Sequence, residues 1–366
     1  MIQMLLVATV LSVLALPGCS AAPAVHQTQS PDGRIVLTFA LVNGSPTYSV
    51  THDSKPVILP SRLGFEFQSE QALASNLVVA GTHRSQRDET WEQPWGETRL
   101  VRDRHSELVV TLEEAKVPGR RFQVVFRAFD DGVALRYRIP RQEGLESLLI
   151  TDELTEFVLS GDHPAWWIPA YQDNRYEYLY ETTKISGMDK VHTPVTMRAA
   201  DGLHLAIHEA ALVDYASMTL ASLAGNTLKA DLVPWSDGIR VRAEAPLETP
   251  WRTIQIAERA GDLITSYMIL NLNEPSIVED TSWIQPNKYM GIWWGMHIGK
   301  YTFWEGDQHG ATTENARMAS GLRWAHRWVS CSMAANISSN VTPRKTREFN
   351  LPATTSSQGT RVPIGE

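Results

Sequence analysis

The sequence predicts a mainly β protein, an antiparallel β-sandwich followed by a single βα unit. From Ser30 onward the chain consists of short segments in which apolar and polar residues alternate. Turn-forming residues separate these segments, and helical periodicity is nearly absent between them. Many short strands joined by tight turns are typical of an antiparallel sandwich.

The predicted strands can be justified in chain order from their alternation and from the turns that bound them. The alternating segments are residues 34–39, 47–50, 108–112, 122–126, 134–139, 202–207 and 251–256. The turn signals are residues 31–33 (Pro-Asp-Gly), 43–45 (Asn-Gly-Ser), 118–119 (Pro-Gly) and 130–132 (Asp-Asp-Gly). No internal repeat or long low-complexity tract interrupts the pattern.

A different pattern begins near residue 289. Residues 271–288, rich in proline and acidic side chains, predict a linker. Residues 289–297 are almost all apolar or aromatic, which predicts a strand that is buried on both faces. After a polar loop, Thr312 is suited to cap a helix, and Glu314 suits the helix dipole. Strand, loop and helix together indicate the opening βα unit of a barrel or of a doubly wound sheet.

The composition is that of a globular protein large enough for two domains. The chain has 366 residues, of which 43% are hydrophobic and 20% charged. A formal net charge of −8 gives no basic field, so nucleic acid is not expected as a partner. Twelve Trp residues supply aromatic faces that suit sugar rings, although Trp is also ordinary packing material.

The amino terminus predicts export. Residues 1–22 form a signal segment, because an uncharged, mostly apolar stretch leads into small residues and is short for a membrane span. The run that ends at Cys19 resembles a bacterial lipobox with Pro17 in an atypical place. A lipidated Cys19 would tether the protein to a membrane surface. We therefore expect a periplasmic or envelope-associated protein.

Several ordered motifs carry a family resemblance. GIWWGMHIGK and HGATTENAR, in residues 291–317, resemble the first barrel strand and helix of glycoside hydrolase family 97, bacterial enzymes that cleave α-glycosidic bonds. WWIPAYQDNRYEYLY, HTPVT, IHEAALVDYASM and PWRTIQIAERAGDLITS resemble the amino-terminal domain of that family, in the same order. The resemblance implies a β-super-sandwich over residues 23–275 and the start of a catalytic (β/α)8 barrel over residues 276–318.

The family pattern stops after Arg317. A complete eight-fold barrel needs about 250 residues, and residues 319–366 are rich in Ser, Thr, Pro, Asn and Arg. We expect this tail to be a disrupted or disordered continuation. The resemblance thus implies an α-glucosidase or α-galactosidase that is incomplete and inactive as this chain. The alternative is a non-catalytic carbohydrate-binding or structural β-sandwich.

The resemblance also implies site residues. Family members hydrolyse glycosides with two carboxyl groups on later barrel segments, so no catalytic residue can be assigned here. The amino-terminal domain of the family supplies a glutamate to an active-site calcium ion, and Glu209 is our first choice for that ligand, with Glu177 second. For the oligosaccharide or α-glycoside substrate we select Trp294 and Trp304 for stacking and His297 for hydrogen bonding.

Overall fold

A computed structural model of the chain describes residues 25–116, 118–172, 176, 178–285, 292–297 and 299–318. The chain divides into two compact units between Ile277 and Val278. The predicted signal segment, residues 1–22, and the predicted tail, residues 319–366, lie outside the described residues. None of the helices in the described ranges is long and apolar enough to cross a membrane.

The first unit is built almost entirely from antiparallel strands. The strands are β1 (Val25–Gln29), β2 (Ile35–Val42), β3 (Ser45–His52), β4 (Lys55–Arg62), β5 (Phe65–Phe67), β6 (Leu77–Glu92), β7 (Leu100–Glu114), β8 (Arg121–Phe129), β9 (Gly132–Ile139), β10 (Ser147–Glu153), β11 (Glu156–Leu159), β12 (Pro164–Trp167), β13 (Glu181–Lys184), β14 (Lys190–His192), β15 (Val195–Arg198), β16 (His204–Ala210), β17 (Met218–Leu223), β18 (Thr227–Leu232), β19 (Val241–Glu244), β20 (Leu247–Glu248) and β21 (Trp251–Ala257). The helices of this unit are a 3₁₀ turn (Ile185–Gly187), α1 (Ala260–Thr265) and α2 (Met268–Asn271).

These strands form two large sheets and one small sheet. The larger sheet has the order β13-β12-β15-β16-β21-β9-β8-β7-β6, with β20 beside β9. The second large sheet has the order β1-β2-β3-β4-β11-β18-β17-β14, and β19-β10-β5 form the small sheet. Side chains of both large sheets share one hydrophobic core. In it, the ring centroids of Phe39 and Tyr48 from one sheet lie 6.0 and 6.3 Å from the ring centroid of Phe126 from the other. The predicted antiparallel sandwich is therefore confirmed.

The predicted strands and turns have simple local causes. In β2 every second residue from Ile35 to Phe39 is fully buried, as the alternation requires. The turn between β2 and β3 has positive φ at Asn43 (51°) and Gly44 (76°). Two consecutive residues with positive φ match the twist of a two-residue hairpin, and Asn-Gly is the preferred pair.

A second, smaller hydrophobic cluster covers the outer face of the larger sheet. Trp251 of β21 packs there with Met268 and Leu272, which lie in or next to α2. The guanidinium groups of Arg127 and Arg136 lie 4.7 and 4.5 Å from the Trp251 ring centroid. Such cation–π contacts let two partly buried cations pack on an apolar surface.

In the second unit, one prediction is wrong. Residues 289–297 were expected to form a strand, but α3 (Trp293–His297) is a short helix, and residues 289–291 lie outside the described residues. A parallel strand needs neighbouring strands for its hydrogen bonds. None of the named strands of the described residues pairs with this segment, so its backbone bonds are made locally.

The predicted helix start at Thr312 is confirmed. Residues 313–318 are helical, and the Thr312 hydroxyl accepts a hydrogen bond of 3.1 Å from the backbone N–H of Asn315. This is the usual contact of an N-terminal cap. The start of the helix is thus encoded locally, although residues 293–297, which were expected to belong to a strand before it, are helical.

Gly64 occupies a position that other residues would not tolerate. Its φ is +132°, and a Cβ there would lie 2.4 Å from the carbonyl oxygen of Leu73. The backbone around it is held on both sides, since Gly64 N–H donates to the Tyr137 hydroxyl and Gly64 C=O accepts from Leu154 N–H. The connection between β4 and β5 therefore cannot move away from an added methyl group.

We expect Gly64→Ala to lower the free energy of unfolding by about 2–4 kcal/mol, because backbone strain and overpacking add. Gly33→Ala is the matched control: its φ is +77°, but no atom lies within 4 Å of the added Cβ. The control should lower stability by only about 1 kcal/mol. Urea unfolding followed by circular dichroism measures both, and equal effects would contradict the proposed clash.

Candidate functional site

A fully buried cluster of charges lies inside the sandwich and centres on Arg252. Its guanidinium donates from Nε to Glu153 Oε1 (2.8 Å) and from Nη2 to Glu153 Oε2 (2.7 Å). Nη1 donates to Glu209 Oε2 at 2.7 Å. Arg252 and Glu153 have no exposed side-chain surface, and 8% of the Glu209 side chain is exposed. Buried charges are tolerated when they are paired and hydrogen-bonded in this way.

The pKa values of the two carboxylates in the cluster are shifted in opposite directions. Burial alone would raise the pKa of Glu153, but the charge and hydrogen bonds of Arg252, with further bonds from Thr155 and Tyr215, outweigh burial and lower it. Burial raises the pKa of Glu209, which receives only one Arg252 nitrogen and lies near the negative charge of Glu153. The cluster thus holds Glu153 ionised more strongly than Glu209.

The lowered pKa of Glu153 links stability to pH. Its ionised form is favoured in the folded state, so its contribution to stability is fully present above its ordinary pKa of 4.5. That contribution is lost as the pH falls through the lower folded-state value. Glu209 acts in the opposite direction, because a raised folded-state pKa favours the protonated side chain in the folded protein.

The same cluster anchors the loop of residues 211–217, between β16 and β17. Glu209 Oε1 accepts from the backbone N–H of Met218 (3.0 Å), and the Tyr215 hydroxyl donates to Glu153 Oε2 (3.2 Å). Ala211 and Asp214 have positive φ values of 53° and 47°, which non-glycine residues seldom adopt. A loop with two such residues is held in one shape by the contacts at its ends.

This loop forms one wall of a surface cleft of about 700 Å³. Residues that line the cleft include Asp214, Tyr215, Ser217, Trp235, Arg240 and Arg242. Trp235 is 64% exposed. Cleft and buried cluster meet at Tyr215, which lines the cleft while its hydroxyl donates to Glu153.

A second ion-pair group stands behind the cleft. Asp231 is 5% exposed, and its Oδ1 lies 3.0 Å from Arg240 Nη1. Its Oδ2 lies 3.0 Å from Lys190 Nζ and accepts from the Tyr171 hydroxyl at 3.1 Å. Burial raises the pKa of Asp231, but the hydrogen bond from Lys190 and the charge of Arg240 outweigh it and lower the pKa. Arg240 is therefore fixed by an ionised partner.

The predicted calcium ligands are placed differently from one another. Glu209 lies in the buried cluster, where each carboxylate oxygen already accepts one hydrogen bond. Glu177 lies outside the described residues. The role of both residues in binding calcium therefore stays a prediction.

The predicted substrate-binding residues all fall in the second unit. Trp294 and His297 lie in α3 instead of the predicted strand, and their side chains lie outside the described part of the structure. Trp304 is 80% exposed. The Thr302 hydroxyl donates to its carbonyl oxygen at 2.9 Å, and His309 Nδ1 lies 3.1 Å from the same oxygen. These contacts fix the backbone of Trp304 and leave its indole accessible.

Another group of metal-ligand types occurs among the described residues. Ligand atoms of His52, Asp53 and Glu258 lie within 4.8 Å of one another. Arg34 donates from Nη2 to Asp53 at 2.7 Å and to Glu258 at 2.5 Å. The guanidinium thus supplies the positive charge that these carboxylates need, so the group is an ordinary surface ion-pair network.

Sequence reasoning selected Glu209 but missed Arg252, Glu153 and Trp235. A usable signal was present for Arg252: in β21 it shares the inward face with Ile254 and Ile256. A charged residue in the apolar phase of an alternating strand must find a buried partner. Trp235 carried no such signal, because it lies between strands and its surroundings come from distant segments.

Comparison with known proteins agrees with this architecture. Residues 28–275 match the sequence model of the glycosyl-hydrolase 97 N-terminal domain, which is more than half of the chain. The class is therefore that of glycoside hydrolases with an amino-terminal sandwich. The chain belongs to glycoside hydrolase family 97, as the motifs in residues 166–317 indicated, and an unrelated structural or carbohydrate-binding protein is not favoured.

Solved structures extend the match. A Glycoside Hydrolase Family 97 enzyme from Pseudoalteromonas sp. strain K8, in complex with panose, is 45% identical with a TM-score of 0.76. The match covers 81% of this chain and 45% of that one, and a complex of a family 97 enzyme from the same strain with acarbose gives the same values.

Curated relatives are more distant. A retaining alpha-galactosidase of Bacteroides thetaiotaomicron is 23% identical over 72% of this chain and 43% of its own length. A probable retaining alpha-galactosidase of Streptomyces bingchenggensis is 28% identical over 72% of this chain and 39% of its own length. The chain thus spans less than half the length of the curated relatives that it matches.

We expect Arg252→Met to lower the free energy of unfolding by about 3–5 kcal/mol, because it leaves two buried carboxylates without their cation. Thermal and urea unfolding measure the loss. Arg242→Met is the matched control, since the Arg242–Asp237 pair is exposed and its loss should change stability little.

Adding Glu153→Gln and Glu209→Gln to Arg252→Met should restore part of the lost stability, because no buried charge then remains unpaired. If the triple variant is less stable than Arg252→Met alone, the loss does not arise from unpaired charge. In that case the electrostatic interpretation of the cluster is wrong.

Proposed function

We propose that this chain supplies the amino-terminal sandwich of an enzyme that hydrolyses α-glycosidic bonds. The observation that carries the proposal is the match of residues 28–275 to the family 97 N-terminal domain. The 45% identity to an enzyme that binds panose, an oligosaccharide of α-linked glucose, favours α-glucosides as substrates. The relatives named alpha-galactosidases are less similar, at 23 and 28% identity.

The described residues act as a scaffold in this proposal and not as the catalytic pair. Glycoside hydrolysis needs two carboxyl groups on either side of the scissile bond. The most deeply buried carboxylate of the sandwich, Glu153, is bound on both oxygens by Arg252 and is closed to substrate. The chemistry is therefore assigned to barrel segments that follow the sandwich in the family.

We further propose that the enzyme uses calcium, with Glu209 and Glu177 as candidate ligands. A carboxylate offers about four acceptor positions, and Glu209 accepts two hydrogen bonds from the described residues. Glu209 and Glu153 carry two negative charges against the one positive charge of Arg252. This excess of negative charge favours the binding of a cation. Calcium takes six to eight oxygens, however, so the described residues fit one ligand and not a complete site.

Export also belongs to this proposal. The apolar segment of residues 1–22 supports secretion across a bacterial inner membrane. A lipid on Cys19 would keep the protein at the envelope, where extracellular oligosaccharides are encountered. Mass spectrometry of the mature amino terminus would identify the cleavage site and any lipid.

We expect a chimera to show that the sandwich is functional. Residues 28–275 would replace the corresponding domain of the Pseudoalteromonas enzyme, and hydrolysis of nitrophenyl α-glucoside and panose would be compared with the intact enzyme. The chimera should keep activity within about tenfold, because a 45% identical domain preserves the fold that supports the barrel.

The 366-residue chain assayed alone is the control and should show no turnover of nitrophenyl α-glucoside or nitrophenyl α-galactoside. A folded but inactive chimera would contradict the proposed role of the sandwich. Calcium-dependent turnover by the chain alone would contradict the assignment of the catalytic carboxylates to other segments.

Calcium binding by the 366-residue chain should be weak, with a Kd of about 10⁻⁴ M or higher, because the site lacks most of its oxygens. Isothermal titration calorimetry with calcium chloride measures it. Glu209→Gln should weaken binding further, whereas Glu258→Gln, in the exposed group near Arg34, should not. If calcium binds with a micromolar Kd and Glu209→Gln leaves that Kd unchanged, the prediction that Glu209 is a calcium ligand is wrong.

A further inference from the structure

The cleft beside Trp235 has the features of a ligand site. Trp235 sits at the start of a tight turn in which its N–H donates to Ile239 C=O (2.8 Å) and its C=O accepts from Gly238 N–H (3.0 Å). Gly238 has a φ of +86°, which closes the turn. The backbone that carries the indole is therefore rigid, while the ring itself is 64% exposed.

The opposite wall is equally well fixed. Ser217 C=O accepts from Val233 N–H at 3.1 Å, which ties the 211–217 loop to the segment that carries Trp235. Tyr215 forms part of the lining and is anchored below by Glu153. Both walls thus depend on the sandwich core, and a ligand would meet a preformed surface.

Both guanidinium groups of the cleft are already paired with carboxylates. Arg240 donates from Nε to Thr151 C=O (3.1 Å) and pairs with Asp231. Arg242 pairs with Asp237 at the rim. Because each guanidinium faces a carboxylate, the cleft offers no net positive site for an anion. This pairing, together with the negative charge of Asp214, disfavours an anionic ligand.

Two polar side chains of the cleft remain available. Within the described part of the chain, neither the Asp214 carboxylate nor the Ser217 hydroxyl has a hydrogen-bond partner. A carboxylate accepts hydrogen bonds and a hydroxyl both donates and accepts. Together with an accessible indole, these are the groups that recognise a polyhydroxylated ring with one apolar face.

We propose that this cleft is a non-catalytic binding site for a neutral sugar, in which a pyranose ring stacks on Trp235 and its hydroxyl groups bind Asp214 and Ser217. The volume of about 700 Å³ lies within the range of about 300–1,000 Å³ that is usual for small-molecule sites. Every residue of the site belongs to the first unit, so the site needs neither calcium nor the proposed hydrolytic activity. It would hold an oligosaccharide on the surface of the sandwich.

The test uses the 366-residue chain and isothermal titration calorimetry with panose and with melibiose, in buffer that contains EDTA. We expect millimolar binding of at least one sugar. Trp235→Ala should lower the affinity about tenfold or more, since it removes the stacking surface. Asp214→Asn should lower it less, because an amide still accepts one hydrogen bond.

Trp95→Ala is the matched control, because Trp95 is also an exposed indole (44%) but lies between β6 and β7, away from the cleft. It should bind sugar like the unaltered chain, and thermal unfolding should show all variants folded. Absence of binding, or equal binding by Trp235→Ala, would overturn the proposal.

Sedimentation of the same variants separates sugar binding from self-association. If the unaltered chain is a dimer and Trp235→Ala is a monomer, the cleft is a protein interface and the proposal is wrong. The proposed hydrolytic function is tested by the chimera and can fail without affecting this result.

Discussion

The structure depends on one electrostatic constraint: the positive charge of Arg252 lies in the centre of a hydrophobic sandwich. A charge at this depth is stable only when it is paired. Glu153, which lies in the small sheet, pairs with Arg252, and so does Glu209, which lies in the neighbouring strand β16. The cluster therefore joins the larger sheet to the small sheet through buried ion pairs.

Strand β21 carries the cation of this cluster on one face and an indole on the other. Alternation along the strand sends Arg252 into the sandwich and Trp251 to the outer face, where Arg127 and Arg136 pack on its ring. The register between β21 and β16 places Glu209 directly opposite Arg252. A shift of one residue would exchange the two faces and bury an indole where the guanidinium now sits.

The loop at the surface above the cluster is held in place by the cluster. Tyr215 and Met218 bind the buried carboxylates, and the loop between β16 and β17 is held with two residues at positive φ. Strained loops persist when the surrounding structure fixes them, and such loops often carry function. The cleft with Trp235 is built on this loop, so a structural ion-pair network determines the shape of a binding surface.

The sequence by itself determined seven of the sandwich strands, the turns at Asn43-Gly44 and similar pairs, the helix cap at Thr312 and the family, because alternation, turn chemistry and motifs are local properties. Only the tertiary structure decided that residues 293–297 are helical, since a strand there requires partners. It also decided which charges meet: Arg252 lies 99 residues from Glu153 and 43 from Glu209. Such pairs, and the cleft beside them, follow from sheet register, which joins segments that no local pattern connects.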